Sequence, residues 1–109
     1  MAGFIKGDIV VVPFPFSNLS GNKRRPALVL ADLPGDDIIL CQIKSQRSKD
    51  IYAVEINSVD FVTGSLPNVS NIRPTRIFTA DKNIVIRKTG TVKSVITAKV
   101  SKILVDLLK

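Results

Sequence analysis

Five apolar runs rich in valine and isoleucine are each bounded by turn chemistry, and the second, third and fourth lie too close together for helical crossovers between them. The runs are Ile9 to Val12, Ala27 to Leu30, Ile38 to Ile43, Tyr52 to Ile56 and Ile84 to Ile86. Their β-branched side chains suit a pleated surface. Between them stand turn segments such as Ser20-Gly21-Asn22, Pro34-Gly35-Asp36-Asp37 and Thr63-Gly64-Ser65. Parallel pairing needs a connection of about a dozen residues or more. The spacing therefore predicts a mainly β fold, a compact and mainly antiparallel sheet or small barrel. A chain of 109 residues, 45% of them hydrophobic, fits a single domain spanning 1–109 with one modest core.

The last segment changes period. Ile96, Val100, Ile103, Leu104, Leu107 and Leu108 recur at intervals of three and four, with Lys99, Lys102 and Asp106 falling elsewhere. This predicts one C-terminal amphipathic α-helix, with Gly90 ending the preceding strand region and Ser94 as its cap. Its apolar stripe is expected to cover the sheet, the competing reading being a helix lying on a membrane surface.

Sixteen Lys and Arg against nine Asp and Glu give a net charge of +7, which favours polyanionic partners such as RNA, DNA or an acidic protein. Simple solubility is the bland alternative. The chain has no histidine, so every mechanism built on an imidazole base or ligand is excluded. Cys41 is the only cysteine, which rules out an internal disulfide and a zinc knuckle, and its neighbours Ile39, Leu40 and Ile43 mark it as a buried small hydrophobe. No metal or cofactor is expected. The opening residues lack the apolar core of a signal peptide and no later run is long enough to span a membrane, so a cytoplasmic protein is expected.

Arg24-Arg25-Pro26 joins a loop to the run Ala27 to Leu30. A proline fixes its own φ and drives the preceding residue toward extended geometry, so Arg25 is expected to project from a defined strand entrance. Its planar fork matches a phosphate. The preceding segment, Pro13 to Lys23, is too long for a tight hairpin and reads as an ordered functional loop. There Phe14 and Phe16 interleave with the cluster Lys23, Arg24 and Arg25, a combination suited to single-stranded nucleic acid. The plain alternative is that the rings staple the loop to the core.

Taken together, several segments resemble the MazF/PemK (Kid-like) family of toxin endoribonucleases. They are Lys6-Gly7-Asp8-Ile9-Val10 leading to Pro13-Phe14-Pro15-Phe16, then Ser20 to Leu30, Leu40-Cys41-Gln42-Ile43, Ile72-Arg73-Pro74, Ile77 to Lys82, and Lys88 to Gly90 before the terminal helix. The resemblance implies an SH3-like barrel with a C-terminal helix. It also implies a homodimer that cleaves single-stranded RNA without a metal and is inhibited by an antitoxin carrying an acidic or amphipathic segment. The family's arginine before the proline of the second strand maps to Arg25. Its catalytic threonine after the third strand maps to Lys44, because this chain reads Ile43-Lys44-Ser45 where the family reads Ile-Thr-Ser or Ile-Thr-Ala.

Three outcomes of that departure stay open: Ser45 takes over the hydroxyl's role, Lys44 contacts phosphate, or activity is weakened or lost. In the cleavage chemistry the ribose 2′-hydroxyl attacks its own phosphate, so the protein need only orient and neutralise. Arg25 would stabilise the nonbridging oxygens, while neither serine nor lysine is a general base in its ordinary protonation state. Lys23, Arg24 and Phe16 are candidate RNA contacts. Arg73, Thr75 and Arg76 join them because related toxins place RNA-contacting or acid-base residues there. Two other classes remain: a nucleic-acid or protein-binding module without catalysis, and a gyrase poison like the related CcdB toxins.

Overall fold

The computed structural model describes residues 3–13, 23–45 and 49–109. Among these the chain forms strands β1 (Asp8–Pro13), β2 (Arg24–Asp32), β3 (Asp37–Lys44), β4 (Val54–Ile56), β5 (Phe61–Gly64), β6 (Ser70–Asp81) and β7 (Arg87–Val92), followed by helix α1 (Ser94–Leu108). Short 3-10 turns occupy Ser58–Asp60 and Lys82–Ile84. The strands join one curled antiparallel sheet in the order β4-β6-β3-β2-β1-β7-β5, a half-barrel with the helix against β4 and β6. The fold is thus mainly β with a C-terminal α-helix, of the architecture that the resemblance implied.

Alternation along the strands gives the sheet two buried faces. One packs Ile9, Leu28, Cys41, Ile43 and Ile72 against Ile96 and Val100 of the helix. The other gathers Val10, Val12, Ala27, Val29, Ile38 and Leu40 beneath Phe4, Phe78 and Val85. Burying both faces explains why the central strands read as near-continuous apolar runs. No helix is long and apolar enough to cross a membrane among the described residues.

The longest strand was not legible as one. β6 contains Pro74, a residue confined in sheets to edges and bulges, and the register shows such a bulge. Ile43 pairs with Ile72 and Cys41 with Ile77, so the segment Arg73 to Arg76 stands opposite Gln42 alone. The Cys41 thiol donates to the Arg73 carbonyl at 2.8 Å, supplying that oxygen with a partner at the irregularity.

Other expectations shift by a few residues. Ile84 to Ile86 is not a strand: the Asp81 carboxylate accepts from the Asn83 N–H at 2.8 Å, which favours the 3-10 turn, and β7 starts only at Arg87. In the run Tyr52 to Ile56 only Val54–Ile56 is strand, because Ile51 and Tyr52 lie in a turn. Ser94 is the first helical residue, and the cap is Lys93, which makes no side-chain cap bond. Instead the Lys93 N–H donates to the Asp60 carbonyl at 2.8 Å, tying the helix start to the 3-10 turn before β5. Leu107 and Leu108 continue the apolar stripe past its cover and are 41% and 82% exposed.

Gly64 is the last residue of β5, whereas Gly90 lies inside β7 and not at its expected strand end, and the two pair with each other. Gly64 has φ +69, and a Cβ built on it would run into the Thr89 carbonyl. The two strands approach this closely only because both residues lack a side chain. Gly64→Ala is therefore expected to destabilise the protein by roughly 3 kcal/mol or more, from backbone strain and steric overlap together, as read by urea denaturation.

Candidate functional site

β2 pairs with β1 so that Arg24 stands opposite Pro13 and Arg25 opposite Val12. Successive residues point to opposite faces. Arg25 therefore shares a face with Val12 and Ala27, whereas Arg24 turns to the other side with Pro26, where it lines a separate cavity. This alternation separates two adjacent arginines that the sequence presents as one cluster.

Arg25 opens into a cavity of about 300 Å³ lined by Lys23, Lys44 and Ser45. Ala27 pairs with Gln42, and continuing that register by two residues sets Arg25 opposite Lys44. Among the described residues, three cationic side chains and one hydroxyl line this cavity, with no carboxylate. Like charges gathered this way repel each other, and an oxyanion among them relieves that repulsion. Arg25 is half-buried, and its Nε is buried without a hydrogen-bond partner among the described residues. A buried unmet donor is costly, which sets this guanidinium apart from the paired Arg73.

The second group of candidates lies elsewhere. Arg73 Nε donates to Asp50 Oδ2 at 3.2 Å in an ion pair whose side chains are 15% and 8% exposed. Asp50 Oδ1 accepts from the Tyr52 N–H at 2.9 Å, and the Asp50 carbonyl accepts from the Ala53 N–H at 3.2 Å. Arg73 therefore fastens the turn before β4 to β6, and it lines neither the cavity at Arg25 nor the one at Arg24. Thr75 and Arg76 are exposed on the bulge and also line neither. Phe16, and Phe14 with it, lie outside the described residues.

Cys41 is buried as expected. Burial pushes its thiol up to about 12, against the smaller lowering effects of the Arg73 backbone and of the Arg73 charge. It serves as a core donor and not as a nucleophile. Among the described residues no group of three or more metal-type donors gathers.

Asp50 and Arg87 escaped the sequence reading. Asp50 lies 23 residues from its partner Arg73, and no local pattern announces the pair. Arg87 sits beside Lys88 in a short polar stretch that reads as ordinary surface charge.

The sequence matches the family described as PemK-like, MazF-like toxin of type II toxin-antitoxin system over residues 5–108. No curated protein matches. Among solved structures, an endoribonuclease from Mycobacterial species, in complex with its cognate antitoxin, superimposes with a TM-score of 0.75 at 15% identity, covering 96% of this chain and 94% of that one. MazF in a MazE-MazF crystal from Deinococcus radiodurans gives 0.73 at 19% identity, covering 99% and 97%. The Mycobacterium tuberculosis toxin MazF-mt6 gives 0.72 at 13% identity, covering 93% and 95%. At these identities the likeness is one of fold.

Truncating Asp50 would leave the largely buried Arg73 guanidinium without its carboxylate. Asp50→Ala is expected to cost about 3 kcal/mol, measured as a lowered midpoint in urea, and Arg73→Ala is expected to act in the same way on stability.

Proposed function

We propose that this chain, which belongs to the PemK-like, MazF-like toxin family of type II toxin-antitoxin systems, cleaves single-stranded RNA at internal positions. The observation that carries this reading is the unpartnered Arg25 Nε in a cavity shared with Lys23, Lys44 and Ser45. The solved relatives described as endoribonucleases lend it support.

The scissile phosphate occupies the cationic cavity. The ribose 2′-oxygen bonds to phosphorus and the 5′-oxygen departs, leaving a 2′,3′-cyclic phosphate and a 5′-hydroxyl. The proton lost from the 2′-hydroxyl is balanced by the one the leaving oxygen gains. Negative charge grows on the nonbridging oxygens as the phosphorane forms, and Arg25 meets it with a donor already positioned and desolvated. Ser45 supplies the hydroxyl in place of the family's threonine, whose position holds Lys44. Lys44 adds charge, because a protonated lysine offers donors and no lone pair.

The partners on this reading are single-stranded RNA and a cognate antitoxin with an acidic or amphipathic inhibitory segment, which would compete for the same cations. The protein works in the cytoplasm as a homodimer.

The test is cleavage of single-stranded RNA in EDTA with end-mapping of products. A cyclic phosphate is expected, and a 2′-deoxy substitution at the cleaved residue blocks the reaction. Arg25→Ala should lower kcat about 10²- to 10³-fold with the circular dichroism spectrum unchanged; a folded variant of near-normal activity refutes the assignment. Lys44→Thr should weaken RNA binding and lessen the slope of log affinity against log salt by about 0.7, the value for one phosphate contact on a single strand.

A further inference from the structure

Across the rim of the sheet from Arg25 lies a second cavity of about 390 Å³. We propose that it receives the nucleotide next to the cleaved bond, so that the RNA strand crosses the rim over Ser45. This assignment rests on the ribonuclease reading above.

The first support is continuity. Ser45 lines both cavities, so the two meet at the end of β3, and a strand with its phosphate at Arg25 has its next residue within reach of the second. The second is charge. Arg24 and Arg87 both line this cavity, and among the described residues no carboxylate does. Two guanidiniums suit a phosphate of the strand, and their planes also stack on bases.

The third is the wall opposite the sheet. Leu66 and Pro67 give it an apolar surface against which a base can lie, and Asn68 offers an amide able to pair with a base edge. This wall is held in place before any ligand arrives. The Ser65 N–H donates to the Thr89 carbonyl at 3.3 Å, the Ser70 hydroxyl donates to the Asn68 carbonyl at 3.0 Å, and Leu66 packs against the core. The volume lies within the range of small-molecule pockets. Position favours a nucleotide over an acidic peptide, because the cavity adjoins the site assigned to the scissile phosphate through their shared Ser45.

The experiment uses the whole chain, isotopically labelled, and an RNA made uncleavable by a 2′-deoxy residue at the end-mapped site. On titration the backbone amides of Leu66, Asn68 and Thr89 should shift together with those of Lys44 and Ser45. RNAs trimmed at the cleaved bond from either side should bind at Lys44 and Ser45, and one of the two should lose the shifts at Leu66 and Asn68. Arg87→Ala should weaken binding of the full RNA roughly tenfold, with Arg87→Lys recovering part of the loss.

If wild type cleaves RNA and binds it at Lys44 while Leu66 and Asn68 stay unmoved, the second cavity is overturned and the ribonuclease reading stands. If an acidic peptide moves Leu66 and Asn68 and RNA does not, the nucleotide assignment is likewise overturned. Absence of both cleavage and RNA binding overturns the two together.

Discussion

The buried carboxylate of Asp8 is the joint on which the sheet depends. It is 1% exposed and accepts from the Ile5 N–H at 3.0 Å and from the Thr91 hydroxyl at 2.8 Å, with Lys88 Nζ at 3.7 Å. Beside it Gly7, at φ +102, donates its N–H to Val29 and accepts from the Val92 N–H. Two residues thereby connect β2, β1 and β7. In the strand order, β1 is the only link between the β7-β5 pair and the rest of the sheet. A buried charge is tolerated only where hydrogen bonds and a counter-charge replace water, and here that requirement fixes where β1 begins. The same strand carries Val12, the register partner of Arg25, so the joint and the cationic cavity share β1 as a neighbour.

That cavity is built on a tension. Sheet register brings Arg25 and Lys44 to one place without an acid to neutralise them among the described residues, although folding alone would favour a carboxylate there. The Asp50 and Arg73 pair shows the contrasting solution a short distance along β6, where a guanidinium is matched and mostly withdrawn from solvent. One arginine is thus paired by the fold, while the other has an Nε without a partner among the described residues. On the proposed function, that difference separates a structural cation from a ligand-directed one more sharply than position in the sequence does.

How much of this was legible in the sequence follows from the range of the interactions. The β-branched runs at β1, β2 and β3 declared themselves because their burial is local and periodic. β6 did not, since Pro74 and the polar residues around it argue against a strand until the bulge opposite Gln42 is seen. Ile84 to Ile86 misled because apolar residues mark burial as readily in a turn as in a strand, and the cap from Asp81 decided the matter. At the site, the proximity of Lys23, Arg25, Lys44 and Ser45 could be anticipated from two neighbouring strand ends. The engagement of Arg73 with Asp50, and the opposite facing of Arg24, depended on tertiary pairing and on strand parity that no short motif encodes.

The sheet order leaves its two shortest strands at the margins: β4 has three residues and β5 four. Strands this short cover little of their neighbours: β4 pairs with Ser70, Asn71 and Ile72 alone, so among the described residues the far side of β6 from Arg73 to Asp81 has no strand beside it. A margin of that length invites another chain to extend the ladder, and Pro74 with the charged Arg73, Arg76 and Asp81 along it are the residue types that discourage such addition.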